Sequence, residues 1–252
     1  MSHHLVEAEG LRHVWPDGTV ALDGVSFRIT HGESVGVVGA NGAGKSTLLL
    51  HLCGALVPRE GRVRVGDVPV TKTTLETVRR AVGTVFQDPD DQLFLPTVRD
   101  DVAFGPLNLG LPSEDVEARV ASALDAVDAG PLAPRAPWRL SGGEKRRVAI
   151  ATVLAMSPDV LVLDEPSSGL DPRSRRELIG LLSAFRHTRI VATHDLDLVL
   201  DVCTRTIVLD RGRVAADGPT REVLADEELL ARCRLERPLS LAPCPRCGGA
   251  PG

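Results

Sequence analysis

Short apolar runs, separated by longer mixed segments, mark the strands of this sequence. SVGVV at residues 34–38 and VLVL at residues 160–163 are rich in β-branched and aliphatic side chains, which is typical of buried strands. DRGR at residues 210–213 indicates a hairpin turn into Val214 and Ala215. Further strands are predicted at residues 81–86, 189–193 and 206–210. Short buried strands are therefore expected along most of the chain.

Helical patterns lie between these strands. Thr97 and Asp100 have the spacing of a capping box at the start of a helix. Ser113 is predicted to cap another helix, one face of which is apolar. That face carries Val116, Val120, Leu124 and Val127. The other predicted helices are residues 45–53, 97–104, 141–156 and 174–186.

The order of these elements predicts an α/β fold. Strands that alternate with helices form a mainly parallel sheet with helices on its faces. Residues 88–156 contain helices but no convincing strand, so we expect an α-helical subdomain inserted into a core of residues 1–87 and 157–237. Residues 238–252 are rich in proline and glycine, which predicts a flexible C-terminal tail.

Composition and charge narrow the class of protein. The chain has 252 residues, 43% of them apolar, which is enough for a large packed core. The net charge of −5 argues against a nucleic-acid-binding surface, which is usually basic. No cationic segment followed by an apolar run opens the sequence, and the apolar run 148–156 is shorter than the roughly 20 residues that cross a bilayer. We therefore expect no signal peptide and no membrane span.

The cysteines and the arginine pairs are interpreted as structural or surface residues rather than as parts of a chemical site. Five scattered cysteines favour reduced thiols, and Cys53 and Cys203 are expected to be buried packing residues. CPRC at residues 244–247 has the spacing of a metal knuckle. Four-ligand zinc needs another pair, and only Cys233 lies nearby, so a stable metal site is not favoured. The pairs at residues 79–80 and 175–176 are interpreted as solvated helix faces.

GANGAGKST at residues 39–47 is the clearest chemical motif and matches G-x-x-x-x-G-K-[ST] in full. It follows a predicted strand and precedes a predicted helix, which is the context that a phosphate-binding loop requires. Lys45 is expected to reach the β- and γ-phosphates of a nucleotide, and the Ser46 hydroxyl to bind Mg²⁺. The nucleotide-binding candidates in this loop are Gly39, Asn41, Gly42, Ala43, Gly44, Lys45, Ser46 and Thr47.

VLVLDEP at residues 160–166 places two carboxylates at the end of a buried strand. Ligands of open α/β sheets bind at the carboxyl ends of the strands. Asp164 is therefore predicted to hold Mg²⁺ through water, and Glu165 to polarise an attacking water as general base. Two acids at a strand end can also be ordinary solvated residues. The phosphate-binding loop in the same chain favours the catalytic interpretation.

LSGGEKRR at residues 140–147 is a second element suited to phosphate recognition. Ser141 and Glu144 have capping-box spacing. Gly142 and Gly143 leave the N–H groups of the first helical turn open to an anion. A single phosphate-binding loop seldom needs a second such element in the same chain.

Together these motifs resemble the nucleotide-binding subunits of ATP-binding cassette (ABC) transporters over roughly residues 5–236. The resemblance implies a P-loop NTPase core with an N-terminal antiparallel β part. It also implies a head-to-tail dimer, in which the LSGGE signature of one subunit covers the ATP bound by the P-loop of the other. Ser141, Gly142 and Gly143 would then bind nucleotide across the interface with a second ATPase subunit, in a homodimer or a heterodimer.

The same resemblance assigns roles to further residues. Gln87 corresponds to the glutamine that senses Mg²⁺ and the attacking water, Asp171 in SSGLD to the D-loop, and His194 in ATHD to the histidine that contacts the γ-phosphate. Trp15 stands where the family usually stacks a tyrosine on adenine, with a structural aromatic residue as the alternative. Glu144 replaces a frequent glutamine and leaves ATP binding in place. The expected cofactors are ATP and Mg²⁺.

FQDPDDQLFLPTVRDDVAFGPLNLGL at residues 86–111 resembles a segment of the ATPases of cobalt, nickel and energy-coupling-factor importers. This resemblance implies a transmembrane coupling subunit and a substrate-binding membrane subunit as partners, at the cytoplasmic face of the cell membrane. Phe86 is predicted to close a core strand and residues 88–91 to form an acidic turn. Residues 92–95 are expected to help form a groove for a coupling helix of the membrane partner.

Several alternatives and unknowns remain beside this interpretation. An ATPase of another nutrient importer is the nearest alternative. A non-transport ABC ATPase usually carries long coiled-coil insertions or a second cassette, and neither is visible in the sequence. A small-molecule P-loop kinase would have no use for LSGGE or SSGLD. The transported substrate is not encoded in this chain.

Overall fold

The computed structural model describes residues 4–185 and 187–241. Its strands are β1 His4–Val14, β2 Val20–Thr30, β3 Ser34–Val38, β4 Glu60–Val65, β5 Val68–Pro69, β6 Val82–Val85, β7 Val160–Asp164, β8 Thr188–Thr193, β9 Arg205–Asp210 and β10 Arg213–Pro219. Its helices are α1 Lys45–Leu52, α2 Leu75–Ala81, α3 Val98–Asn108, α4 Ser113–Ala126, α5 Gly142–Leu154, α6 Pro172–Ala184, α7 Leu196–Val202, α8 Thr220–Ala225 and α9 Glu227–Arg232. Every strand and helix predicted above is present; β3 has the predicted bounds, and most of the other elements have shifted ends.

The larger sheet is mainly parallel, as predicted. Its strand order is β10-β9-β3-β8-β7-β6. The strand β3 pairs in parallel with β8 and β9, and β7 pairs in parallel with β6 and β8. The strand β10 runs antiparallel to β9, with the predicted turn at residues 210–213 between them. Parallel neighbours end at the same edge of a sheet, so the residues that follow β3, β7 and β8 come together there.

The N-terminal part of the chain forms a second, antiparallel sheet with the order β2-β1-β4-β5. The strands β1 and β2 pair from His4↔Thr30 to Val14↔Val20, with several register shifts between. The turn that joins them carries Trp15, whose N–H bonds the Thr19 carbonyl at 2.9 Å. The expected antiparallel part is therefore confirmed.

Alternating side chains of the parallel strands enter two cores. In β7, Val160 and Val162 pack with α1 and the antiparallel sheet, whereas Leu161 and Leu163 pack with helices on the opposite face. In β9, Ile207 packs in the same core as Val160 and Val162, and Val208 packs in the core on the opposite face. A strand that is buried on both faces reads as an unbroken apolar run. This is why VLVL indicated a central strand without any polar alternation.

The chain between β6 and β7 forms helices and no strand. As predicted, Thr97 caps α3, and its Oγ1 accepts a hydrogen bond from the N–H of Asp100 at 3.2 Å. The helix continues past the predicted end, through Pro106, to Asn108. The missing donor of Pro106 does not end the helix, because the N–H of Leu109 still bonds the Gly105 carbonyl at 3.0 Å.

Three local predictions are wrong. Ser113 is the first residue of α4, Pro112 takes the N-cap position, and no side chain caps this helix. Phe86 lies beyond the end of β6 and is 42% exposed, because the chain leaves the sheet after Val85 to contact α5. Cys53 is only half-buried at the C-terminus of α1, whereas Cys203 is buried as predicted.

Residues 239–241 form a short 3₁₀ turn that is held beside α7. Asp197 accepts hydrogen bonds from the N–H groups of Leu239, at 3.3 Å, and Ser240, at 3.0 Å. The CPRC segment at 244–247, like the rest of the predicted tail, lies outside the described residues. The boundaries of the core, the helical subdomain and the tail stay predictions.

Fully buried His51 on α1 predicts a pH-dependent stability. Burial, with a smaller contribution from His13, lowers the pKa of His51 from 6.5 to about 4. The unfolded chain then binds the proton more tightly, so the free energy of unfolding falls as the pH drops from about 6.5 towards 4. We expect His51→Gln to remove about 1–3 kcal/mol of this fall, measured by urea unfolding across that range.

His31 is exposed and provides the matched control. His31→Gln should leave the dependence of unfolding free energy on pH as it is in the parent chain. A His51→Gln variant with the same dependence as the parent would show that the buried imidazole does not carry this effect.

Candidate functional site

The loop between β3 and α1 has a conformation that glycine makes possible. A Cβ atom at Gly39 would collide with the Leu209 carbonyl, and one at Gly44 would collide with the Ala21 carbonyl. Gly44 also has φ +105°, in the left-handed region that other residues rarely adopt. The chain can therefore turn directly from β3 into α1, and the N-terminus of α1 opens onto a cleft.

Lys45 lies inside this loop with only 7% of its surface exposed. Its Nζ donates to the Gly39 carbonyl at 2.7 Å and lies 3.7 Å from Oε1 of Glu165. A buried ammonium group needs such partners, because desolvation without them is costly. The carbonyl and the carboxylate hold the positive charge at the end of β3, where a phosphate group would meet it.

Glu165 follows β7 in an unusual backbone conformation. Its φ of +44° is left-handed, which is uncommon for a residue with a side chain and often marks a functional site. Its N–H bonds the Ala192 carbonyl of β8 at 2.8 Å, so the neighbouring strand supports the turn. The residue is 7% exposed and its side chain lies among polar groups.

Two residues from the end of β8 hold the Glu165 carboxylate. Thr193 Oγ1 donates to Oε2 at 2.8 Å, and Nδ1 of His194 lies 2.8 Å from the same oxygen. The His194 side chain is 63% exposed, so it reaches from the buried carboxylate into solvent. The predicted base and the predicted histidine are thus in direct contact. Sequence reasoning missed Thr193, although it directly precedes the predicted histidine.

Asp164, the last residue of β7, is half-buried beside Ser46. Burial raises the pKa of its carboxyl group, the Ser46 hydroxyl opposes this shift, and the charge of Glu165 adds to it. Oδ1 of Asp164 is buried and has no hydrogen-bond partner among the described residues. A carboxylate oxygen in that situation is suited to a water or a cation.

Lys45, Ser46, Glu165 and His194 border one cleft of about 400 Å³, whereas Asp164 lines a neighbouring cleft, which it shares with Gln87. Its lining consists of Trp15, Thr19, Val20, Ala21, Asn41, Gly42, Ala43, Gly44, Lys45, Ser46, Thr47, Gln87, Glu165 and His194. Gln87 comes from beyond β6, which lies next to β7. No motif marked Thr19, Val20 or Ala21, which enter the cleft because β2 passes over the loop.

The LSGGE residues lie elsewhere on the surface. Their capping box is confirmed, since the Ser141 N–H donates to Glu144 Oε2 at 2.7 Å and the Glu144 N–H donates to Ser141 Oγ at 3.3 Å. Ser141 and Gly142 are exposed, Gly143 is half-buried, and none of them lines the cleft just described. The N-terminus of α5 is therefore a separate candidate site for an anion.

Asp171 caps α6 and is likewise outside the cleft. Its carboxylate accepts hydrogen bonds from Ser174 Oγ at 2.7 Å and from the N–H groups of Arg173 and Ser174 at 2.9 and 3.0 Å. These bonds, led by that of the Ser174 hydroxyl, lower the pKa of Asp171. A Cβ atom at Gly143 would collide with Ser174 Oγ, so the starts of α5 and α6 pack together.

Comparison with known proteins identifies the family. A family model described as "ABC transporter" matches residues 22–168, which is more than half of the chain and includes the P-loop, the signature and the carboxylates after β7. The chain belongs to the ABC transporter family. It is an ABC ATPase, which binds and hydrolyses ATP.

Individual relatives give a finer comparison. A protein of Geobacter sulfurreducens described as an ABC transporter ATP-binding protein, GSU1281, is 68% identical over 98% of this chain and all of its own length. The energy-coupling factor transporter ATP-binding protein EcfA of Methanothermobacter thermautotrophicus is 47% identical over 93% of this chain and 77% of its own. The structure of cbiO1 from Clostridium perfringens, part of the ABC transporter complex cbiONQ, has a TM-score of 0.82 and 39% identity, covering 92% of this chain and 94% of its own. The chain is thus an ABC ATPase of the EcfA and CbiO type.

In this ABC ATPase, Arg146 ties the segment around Gln87, hereafter the Q-loop, to α5, the helix that begins with the LSGGE signature. The guanidinium is 2% exposed and donates from Nη1 to the Phe86 carbonyl at 2.7 Å and from Nη2 to the Gln87 carbonyl at 2.6 Å. Next to it, Nζ of Lys145 lies 2.5 Å from Oδ1 of Asp90. The backbone of Gln87 is therefore held by the helix that begins with LSGGE. Sequence reasoning missed Arg146, whose partners are carbonyl groups that no motif displays.

A second arginine ties α6 to Asp195, which follows the histidine that contacts Glu165. Nε and Nη2 of Arg175 each lie 3.0 Å from an oxygen of Asp195, and Ser167 Oγ donates to the same carboxylate at 3.0 Å. Burial pushes the pKa of Asp195 up, but these bonds hold it below its ordinary value. The interpretation of Arg175 as a solvated residue is therefore wrong, because it bonds Asp195, the N-cap residue of the neighbouring helix α7.

Arg146→Met should uncouple the Q-loop from α5. Two part-buried hydrogen bonds to carbonyl groups would be lost, and we expect the free energy of unfolding to fall by about 1–3 kcal/mol in urea denaturation. ATP hydrolysis should fall too, since Gln87 loses the support of its backbone. The matched control is Arg147→Met on the same helix, whose single bond to the Asp128 carbonyl is 3.3 Å long and exposed. Equal effects of the two substitutions would contradict the role given to Arg146.

Proposed function

We propose that this chain is the energising ATPase of a membrane importer of the cobalt, nickel or energy-coupling-factor type. It would act as a head-to-tail dimer with two ATP molecules between the subunits. The dimer is supported by one observation: within one chain, the P-loop cleft and the LSGGE residues are separate. Lys45, Glu165 and His194 share a cleft, whereas Ser141 and Gly142 are exposed outside it.

A second subunit completes such a site. The N-terminus of α5, with the Ser141 hydroxyl and the Gly143 N–H, would bind the γ-phosphate held by the P-loop of the partner. Asp171 and its helix α6 would stand at the same interface, since the starts of α5 and α6 pack together. Both halves of the site are intact in this chain, so a homodimer would have two complete sites.

The residues beside the P-loop fit Mg²⁺. Asp164 offers a buried oxygen without a partner, and Ser46 and Gln87 supply the neutral oxygens that this cation accepts. These three residues would hold the ion, Asp164 through water. Bound Mg²⁺ would supply neutralisation of the charge that develops on the phosphate oxygens. The unpartnered Oδ1 of Asp164 is the structural observation that favours this cation.

The remaining residues of the cleft can act on a water molecule. Glu165 would accept its proton, and His194 and Thr193 hold the Glu165 carboxylate in position. Lys45 and the backbone of the P-loop would stabilise the charge of the transferred phosphoryl group. Positioning and electrostatic stabilisation, with no covalent intermediate, would then supply most of the rate.

Glu165→Gln should retain ATP binding and lose most turnover, because an amide cannot accept the proton of the attacking water. We expect hydrolysis to fall by about 100-fold or more and an ATP-bound dimer to accumulate. Phosphate release measures the first effect, and light scattering after gel filtration measures the second. Asp159→Asn, at an exposed acid before β7, is the control. Normal hydrolysis by the Glu165→Gln variant would overturn the assignment of the base.

The proposed contact with the membrane partner is an aromatic groove, formed by Phe86, Phe94, Phe104 and Met156. Phe94 and Phe104 are 62% and 45% exposed and stack edge to face, with ring centroids 5.2 Å apart. Exposed apolar surface of this kind marks protein contacts. Asp101 fixes the loop, since its Oδ1 accepts the N–H of Phe94 at 3.1 Å.

Two details of the predicted groove need correction. Leu93 is only 6% exposed and belongs to the core. Gln92 lines the groove but is half-buried, and its Nε2 donates to the Ala149 carbonyl at 2.8 Å and to Thr152 Oγ1 at 2.7 Å. The surface offered to a partner therefore comes from Phe94 and the residues packed around it, rather than from the whole stretch 92–95.

The partners proposed for this groove are a transmembrane coupling subunit and, through it, a substrate-binding membrane subunit. Across residues 4–185 and 187–241, no helix combines the length and the apolar character of a membrane span. Similarity to EcfA and to cbiO1, which is part of cbiONQ, supports partners of this kind. The ATPase would then lie at the cytoplasmic face of the membrane.

Phe94→Ala should weaken assembly with the membrane subunits, because an exposed aromatic anchor often carries much of the energy of an interface. We expect recovery of the complex from detergent extracts to fall about tenfold or more. Dimer formation and ATP binding by the isolated ATPase should be unchanged. Leu239→Ser removes an even more exposed side chain elsewhere and serves as the control. Normal assembly of the Phe94→Ala variant would count against the groove as the docking surface.

A further inference from the structure

Two histidines connect the nucleotide cleft to the core behind it. His13 is on β1, two residues before Trp15. The two rings are in edge-to-face contact, with centroids 4.6 Å apart and an angle of 77° between their planes. This is a preferred geometry for aromatic pairs. The side chain of Trp15 therefore rests on His13 at the rim of the cleft.

His51 supports His13 from behind. It is fully buried on α1, the helix that begins at Lys45. Its Nε2 lies 3.2 Å from Nδ1 of His13, and the two rings are 5.0 Å apart at 69°. Among the described residues, the other ring nitrogens, Nε2 of His13 and Nδ1 of His51, have no hydrogen-bond partner. The hydrogen bond between the rings thus provides the polar contact that orients both of them.

This bond requires at least one of the two rings to be neutral. A neutral imidazole has one donor and one acceptor nitrogen, so two such rings can share a hydrogen bond, whereas two imidazolium rings cannot. Burial lowers the pKa of both histidines, and the charge of Arg59 lowers that of His13 further. The pair is therefore uncharged near neutral pH and able to form this bond.

Little else in the turn restrains the ring of Trp15. The backbone of Trp15 is held by hydrogen bonds with Thr19 and Gly18, each 2.9 Å long. Residues 16–19 themselves are exposed and offer no packing surface. An aromatic ring that must find its orientation during binding loses conformational entropy at that moment, which weakens affinity. A ring that is already fixed avoids this loss.

We propose that His13 and His51 are positioning residues, which fix the Trp15 ring as a stacking platform and so strengthen the binding of a nucleotide through its base. This inference rests on the proposed stacking of adenine on Trp15. It makes the P-loop helix and the base platform parts of one packed unit, because His51 belongs to α1 and Trp15 follows β1. The phosphate groups would be bound without help from the pair.

The test compares ATP with inorganic tripolyphosphate, which lacks the base, on the full chain in the presence of Mg²⁺. Trp15 and Trp138 are the two tryptophans, so Trp138→Phe leaves Trp15 as the single fluorescent reporter. In that background, His13→Ala should weaken ATP binding about two- to tenfold and leave tripolyphosphate binding unchanged. His13→Phe, which keeps an aromatic edge against Trp15, should restore ATP binding.

His51 gives a second, matched pair of variants. His51→Leu removes the hydrogen bond, whereas His51→Gln offers an amide N–H at a position similar to Nε2. The leucine variant should lose ATP affinity selectively, and the glutamine variant should keep it. Should His51→Leu fail to fold, which its circular dichroism would show, the His13 variants still decide the matter.

The outcomes separate this inference from the proposed function. If Trp15→Ala, which lacks the reporter and is measured by calorimetry, binds ATP as well as the parent does, stacking of adenine on Trp15 is wrong. If Trp15→Ala weakens ATP binding but His13→Ala does not, the stacking stands and the positioning role is overturned. Equal loss of ATP and tripolyphosphate binding in His13→Ala would also overturn it, because that pattern indicates general damage to the cleft.

Discussion

The parallel pairing of β3, β8 and β7 is the constraint on which the cleft depends. Their register brings the carboxyl ends of the three strands to one edge of the sheet. Three residues that are far apart in sequence meet at this edge: Lys45 after β3, Glu165 after β7 and His194 after β8. Nζ of Lys45 and Nδ1 of His194 both lie within 3.7 Å of the Glu165 carboxylate. A shift of register in any one of these strands would separate the acid, the ammonium group and the imidazole.

Two arginines, Arg146 and Arg175, extend this arrangement beyond the cleft. Arg146 joins the backbone of Gln87 to α5, and Arg175 joins Asp195, beside His194, to α6. The N-termini of α5 and α6 carry LSGGE and SSGLD, the motifs that would face a second subunit. The backbone of Gln87 and the residue that follows His194 are thus each bonded, through one guanidinium group, to a helix of the proposed interface. Charged, bidentate bonds suit this task because they fix orientation as well as distance.

The segment from Gln87 to Phe94 contributes residues to both the nucleotide cleft and the aromatic groove. Gln87 lines the cleft, and Phe94, seven residues later, stands exposed in the aromatic groove. Between them, Gln92 and Leu93 bury their side chains against α5, and Asp90 bonds Lys145. The segment is therefore anchored to α5 along its length, so movement of α5 would be transmitted both to the cleft and to the groove. The mixture of acids and phenylalanines fits these two roles, because Asp90 bonds α5 and Phe94 is exposed where a partner could bind.

By itself, the sequence determined the features that local spacing encodes. The P-loop, the strand with Asp164 and Glu165 at its end, and the capping box of Ser141 and Glu144 depend on neighbouring residues, so they were predictable. The tertiary structure alone decided the partners of Arg146 and Arg175 and the outward turn of Phe86. Arg146 binds a carbonyl 60 residues away, and no periodicity records such a contact. Long-range hydrogen bonds depend on how helices pack on the sheet, and that geometry exists only once the chain has folded.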